Sequence, residues 1–278
     1  TDVLIPNQIV TEDKIRRLCA LQSHGDVKVC VYGEENTRLI SKIASELGVT
    51  VGILIEVDTS MGRGGVRSSE ESVYLAKLIT SLPGLKFMGV MSHQHLEEFS
   101  THENRIAEGI EYMEICMESK HAIEAEGIHV EMVSSGETFT IDSATQVEGV
   151  TEVEGGTYAL MGTSYSYMDD FKIANKVLGT ITSIKNDQIA IGDIGTKSFS
   201  WPEKQLPDVE TPENIKVVGM HPENCELDIS NANVQVGDNF VLLPWYQDML
   251  VNRWDQYVGI RNNQVEQVID IPGRGCTQ

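Results

Sequence analysis

Lysine and arginine are scarce in this chain: 21 of them stand against 42 aspartates and glutamates, a net charge of −21 over 278 residues. Such a field repels a phosphate backbone and excludes nucleic acid as a natural partner. Long hydrophobic runs are also missing; none approaches the ~18 residues that a bilayer-spanning helix needs, so no membrane segment is expected. Cysteines are few and scattered. Cys19, Cys30, Cys116, Cys225 and Cys276 are odd in number and never form a CxxC pair. They read as reduced thiols of a cytoplasmic protein, not as a disulfide frame or a zinc knuckle. No GxGxxG follows the first apolar run, which leaves a Rossmann dinucleotide site without support. What is present is 41 % hydrophobic and 23 % charged residues, enough for a sizeable core and inconsistent with disorder.

Up to about residue 165, apolar strand-like runs alternate with amphipathic stretches of helical length. VLIP (3–6), VKVCVY (27–32), VGILIEVD (51–58), LKFMGVMS (85–92), HVEMVSS (129–135) and TEVEGGTYALM (151–161) are the predicted strands. Helices are expected near residues 11–24, 35–47, 69–81 and 101–126, several closed by glycine. Strands that are apolar almost throughout, separated by helices, indicate βαβ units and a parallel sheet covered on both faces. A closed β/α barrel is the preferred architecture. After about residue 172 the texture changes to short alternating strands with Asn, Asp and Gly turns, which describes an antiparallel β-domain. The division is placed at 170/171: a partial β/α barrel over 1–170 and a C-terminal β-domain over 171–278.

In parallel β/α folds, ligands bind where strands exit into helices. Four exits here are polar or glycine-rich: Asp58 to Gly65, Ser92 to His95, Ser134 to Thr138, and Glu154 to Tyr158 with Tyr165 nearby. A Ser-Ser-Gly-x-Thr turn offers backbone N–H groups and hydroxyls to an anion. Arg63, set between glycines, can reach a phenolate or carboxylate, and His93 is a stacking or acid/base imidazole. Each exit alone also reads as an ordinary turn. Together they suit a phosphorylated aromatic cofactor, of which pyridoxal phosphate is the obvious member.

The wording of these segments resembles the fold-type III pyridoxal phosphate enzymes with an alanine-racemase-like barrel, and within them the D-threonine aldolase / D-serine dehydratase-like family. IEVDTSMGRGGV is similar to that family's "VEVDVGMGRCGV", FMGVMSHQH to "FxGLQxYHGH", VSSGETFT to "VSGGGTxT", and TEVEGGTYALM to "TELQPGSYVFMD". The resemblance covers nearly the whole chain. It implies that Arg63 hydrogen-bonds the phenolic oxygen of the cofactor and that His93 lies beside the pyridine ring and takes the catalytic part. It further implies that Ser135, Gly136 and Thr138 line the phosphate, with Gly155, Gly156 and Tyr165 closing the pocket. A homodimer and a small amino-acid substrate are implied as well.

The chain departs from the family in two respects. Members open with a strand carrying the Schiff-base lysine and a second βα unit, both upstream of the VLIP-type strand, whereas Thr1 stands just before that strand here. The expectation is therefore a (β/α)8-type barrel whose first two βα units are missing from this chain, which then lacks the lysine and is inactive alone. Lys28 and Lys86 sit at strand beginnings and Lys197 in the β-domain, and none reads as a substitute. The second departure concerns a divalent ion (Mn, Mg or Zn), which the family holds in a "PxHxD/C…VN" segment. Asp248 matches that pattern, but Tyr246 occupies the histidine position, and a phenol of pKa ~10 is a poor ligand near neutral pH. The implied function is a lyase acting on a β-hydroxy-D-amino acid. The alternatives are an amino-acid racemase of the same fold, or a non-catalytic relative that binds pyridoxal phosphate without the lysine.

Overall fold

The computed structural model describes residues 2–96, 101–200 and 205–276. It contains two compact units, Thr1–Gly156 and Thr157–Gln278. The first alternates strand and helix: β1 (Asp2–Ile5), α1 (Glu12–Leu21), β2 (Asp26–Val31), α2 (Glu34–Leu47), β3 (Val51–Glu56), α3 (Ser69–Ser81), β4 (Leu85–Ser92), α4 (His102–Ala125), β5 (Met132–Ser135) and the short α5 (Ile141–Ala144). The strands pair in parallel in the order β1-β2-β3-β4-β5.

Helix ends follow the local chemistry. Ser68 accepts a hydrogen bond from the Glu71 N–H at 3.2 Å, and Thr101 caps α4 in the same way through the Asn104 N–H. Gly48 closes α2 in the left-handed conformation at φ +67°. β3 is buried from Val51 to Glu56, so its alternate side chains fill two layers. One layer, with Val29, Val31, Ile53, Ile55 and Val90, packs against Ile15, Ile40, Ile43, Leu75 and Ile79 of the helices. The other is smaller and gathers Cys30, Leu54, Met88 and Met91. Each fully buried Ile or Leu contributes roughly 1.5–3 kcal/mol. The sixth predicted strand, over 151–161, is reduced to a single parallel bridge between Ser134 and Glu152. Gly155 and Gly156 end the pairing there, and Thr157–Ala159 turns into a 3-10 helix.

In the second unit, residues 157–176 hold no strand. They are tied to their own unit by the Thr163 N–H, which donates to Pro244 O at 2.8 Å. Then come β6 (Val177–Ile184), β7 (Ile189–Gly192), β8 (Asp208–Thr211), β9 (Lys216–Met220), β10 (Cys225–Asp228), β11 (Asn239–Leu243), the short α6 (Gln247–Val251), β12 (Gln256–Arg261) and β13 (Gln264–Asp270). Six of these strands form an antiparallel sheet in the order β8-β11-β6-β7-β10-β9, and β12 pairs β13 in a separate ribbon. Phe199, Phe240, Leu227 and Leu242 anchor its core.

Candidate active site

The chemistry of the first unit collects at the C-terminal ends of β3, β4 and β5. After β3 the chain loops through Asp58 to Gly65 and folds back, so that Val66 bridges to Val57. Gly65 makes this return feasible: at φ +103°, a Cβ there would lie 2.6 Å from the Asp58 nitrogen. The loop brings Arg63 over the end of β3, where its guanidinium lies 3.6 Å from the Glu56 carboxylate, an ion pair longer than a hydrogen bond. Arg63 is 55 % exposed and its partner nearly buried. Burial pushes the Glu56 carboxyl upward, and Arg63 opposes the shift.

His93 follows β4 and is paired through Nδ1 with Glu137 Oε1 at 2.6 Å. Glu137 is buried and accepts two further hydrogen bonds, from the Gln94 N–H at 2.8 Å and from Thr140 Oγ1 at 3.0 Å. Its hydrogen bond raises the His93 imidazole above the usual histidine value, against the effect of burial, with Arg63 lowering it and Glu154 raising it. A second buried network lies beside this pair. Ser92 and Ser135 share a hydroxyl–hydroxyl bond of 2.8 Å, and Gln94 Nε2 donates to both, at 2.8 and 3.0 Å. Gln94 Oε1 and Thr59 Oγ1 are buried without a partner among the described residues, the kind of unsatisfied group that concentrates at working sites.

Glu154 completes the rim. It accepts from Ser134 Oγ at 2.9 Å, and its N–H donates to Gly136 O at 2.7 Å. Burial pushes its carboxyl up to about 7; Ser134 opposes this, and the like charge of Glu137 adds to it. Gly136 stands at φ +107° with Met113, Ala144 and Val153 against the space a Cβ would need.

The structure thus brings Arg63, His93, Ser135, Gly136, Thr138, Gly155 and Gly156 to one rim of the first unit. The Ser135 hydroxyl is engaged inward, and Thr138 is buried. Tyr165 belongs to the second unit, where its ring meets Tyr246 edge-on at 5.7 Å and Tyr167 at 6.4 Å. Burial, then Tyr246, Tyr167 and Asp248, push its phenol upward. Sequence reasoning assigned no role to Glu56, Glu137 or Glu154. The signal for the last two was present: they stand where the similar patterns have glycine and glutamine.

The residues on the rim fit pyridoxal phosphate. A Cβ placed at Gly156 meets nothing within 4 Å, and among the described residues no acceptor faces the N–H of Gly155 or Gly156. Open amides, an exposed guanidinium and an imidazole on one rim suit an anionic aromatic ligand. For a divalent ion the donors do not fit. Tyr246 packs on Tyr165, Asp248 accepts from Gln247 Nε2 at 3.2 Å, and no cluster of three His, Cys, Asp or Glu side chains suited to a metal occurs among the described residues. Lys28 pairs with Asp2 and Asp26 at the opposite end of the sheet, Lys86 with Glu131, and Lys197 with Glu223.

The model of the alanine racemase N-terminal domain matches residues 5–164, and a serine dehydratase domain model matches residues 174–260. The chain belongs to the alanine racemase N-terminal domain family. That family depends on pyridoxal phosphate. A 3-hydroxy-D-aspartate aldolase of Paracoccus denitrificans (strain Pd 1222) is 30 % identical over 289 residues, which cover 99 % of this chain and 74 % of the relative. A D-threonine aldolase of Arthrobacter sp is 25 % identical over 285 residues, covering 100 % and 75 % respectively. The crystal structure of D-threonine aldolase from Filomicrobium marinum superposes with a TM-score of 0.94 at 22 % identity, over 100 % of this chain and 78 % of that one. The fold is the alanine-racemase-like one, with parallel strands first and an antiparallel β-domain after. Among the described residues no helix is long and apolar enough to cross a membrane.

Proposed function

We propose that this chain is the greater part of a pyridoxal-phosphate-dependent lyase acting on a β-hydroxy-D-amino acid. The supporting observation is the 30 % identity to a 3-hydroxy-D-aspartate aldolase across 99 % of the chain, joined to a rim whose donors suit the cofactor. When bound, pyridoxal phosphate supplies the electron sink for breaking a bond at the substrate α-carbon.

The chain's own residues bind, orient and move protons. Arg63, held loosely by Glu56, would hydrogen-bond the cofactor's phenolic oxygen. The Gly136 turn, Ser135, Thr138 and the Gly155–Gly156 amides would hold the phosphate. Glu154, its carboxyl pushed up to about 7 by burial, is about half protonated at pH 7, and a nearby dianion would favour its protonated form further. His93 would lie beside the ring, with its second nitrogen available to a substrate hydroxyl.

We assign the protein to the cytoplasm, consistent with five free cysteines, and expect a homodimer. No step is assigned to a divalent ion, because Tyr246, packed on Tyr165, and Asp248, bonded to Gln247, do not offer a donor set for one. The test is an assay of the full-length protein with D-3-hydroxyamino acids and pyridoxal phosphate. Release of glycine and aldehyde supports aldol cleavage, and release of ammonia and keto acid supports dehydration. Stereoinversion with neither product overturns the lyase reading in favour of a racemase.

A further inference from the structure

Three buried or half-buried carboxylates, Glu56, Glu137 and Glu154, surround one imidazole, but only Glu137 touches it. Glu137 is itself fixed from three sides, by His93 Nδ1, the Gln94 N–H and Thr140 Oγ1. The Glu137 N–H donates back to Thr140 Oγ1 at 2.8 Å, so the carboxylate has little freedom to swing away. We propose that Glu137 is a positioning residue that locks His93 in the tautomer with hydrogen on Nδ1, leaving Nε2 as the ring atom that exchanges a proton.

The chemistry follows from the geometry. With Nδ1–H held on Glu137 Oε1, the neutral ring presents a lone pair at Nε2. A substrate hydroxyl gives its proton to Nε2, and its oxygen keeps the electron pair. The imidazolium formed retains Nδ1–H on Glu137, and Nε2–H returns the same proton later in the cycle. A carboxylate at Nδ1 also stabilises the imidazolium. The other charged groups facing His93 are Arg63, which disfavours that charge, and Glu56 and Glu154, which favour it.

This proposal deepens the lyase reading and rests on it for the identity of the proton donor, but its structural core is testable without cofactor. Nitrogen-15 NMR of the cofactor-free protein reads the tautomer of His93 directly. The expected result is a neutral ring protonated at Nδ1, with a titration that falls toward that of a free imidazole in Glu137→Gln. The Glu137→Asp variant should restore part of the shift. In an active lyase the acid limb of the kcat pH profile should move in the same direction, with kcat in Glu137→Gln down about tenfold or more. A neutral ring protonated at Nε2 in the unaltered protein overturns the proposal and needs no variant to fold. So does an unchanged His93 titration in a folded Glu137→Gln protein. Failure of the unaltered protein to bind pyridoxal phosphate or to cleave substrate overturns the lyase reading instead, and leaves the tautomer assignment by NMR intact.

Discussion

The two ends of the parallel sheet hold buried charge in opposite ways. At the N-terminal end, Lys28 is 2 % exposed and meets two carboxylates, Asp2 at 2.5 Å and Asp26 at 2.8 Å. Burial works against its charge, but the two hydrogen bonds outweigh that effect and the net shift is upward. At the C-terminal end, Glu56, Glu137 and Glu154 share one half-exposed arginine and one histidine, and burial pushes the Glu154 carboxyl up to about 7. A buried charge with full compensation holds structure. A set of charges left partly unbalanced on an open rim is arranged for a ligand that is absent from the fold's own bonding.

Breaking the unbalanced end should cost function far more than fold. The largest effect is expected at His93. His93→Ala should lower kcat of the full-length enzyme by roughly a hundredfold or more, while circular dichroism and the melting midpoint stay near those of the unaltered protein. An unchanged kcat would remove the histidine from the proton chemistry. Next comes Arg63→Ala, which removes the guanidinium proposed to hydrogen-bond the cofactor. Absorbance titration should show pyridoxal phosphate binding weakened about 10- to 100-fold.

Glu154 sharpens the contrast through pH. Its carboxyl is protonated more readily in the folded chain than in the unfolded one, so its contribution favours folding most at pH below the ordinary glutamate value. That contribution declines as pH rises through about 7. Glu154→Gln should therefore be more stable than the unaltered protein at pH 8, by roughly 3 kcal/mol, and nearly equal to it at pH 4. Thermal melts at the two pH values check the sign. The smallest effect is expected at the compensated end. Lys28→Met leaves two exposed aspartates and a well-packed stem, so stability should change by less than about 1 kcal/mol, with cofactor affinity unchanged.

Much of the scaffold was legible in the sequence because its signals are local. The fully apolar VGILIE run, the Ser68 cap and the Gly48 stop each specify their element from within a few residues. The run over 151–161 read as a strand because its apolar residues were counted, yet Gly155 and Gly156 halt the pairing after one bridge. β8 and β10 were not given bounds in advance, since their pairing with β11, β7 and β9 is set by the sheet and not by their own composition. At the site, the glycine turns and His93 were visible as polar strand exits. Glu137 and Glu154 were not singled out, because a glutamate in a turn carries no mark of burial. What makes them functional candidates is a neighbour distant in the chain: Gln94 lies 43 positions before Glu137, and Glu154 is set among Ser134, Glu137 and His93.

Hydrogen exchange of the full-length protein with and without pyridoxal phosphate tests the central claim most directly. Protection confined to residues 62–65, 93–94, 134–138 and 154–156 is the result expected of one shared anion rim. Binding that leaves these four segments unchanged and protects others would contradict it.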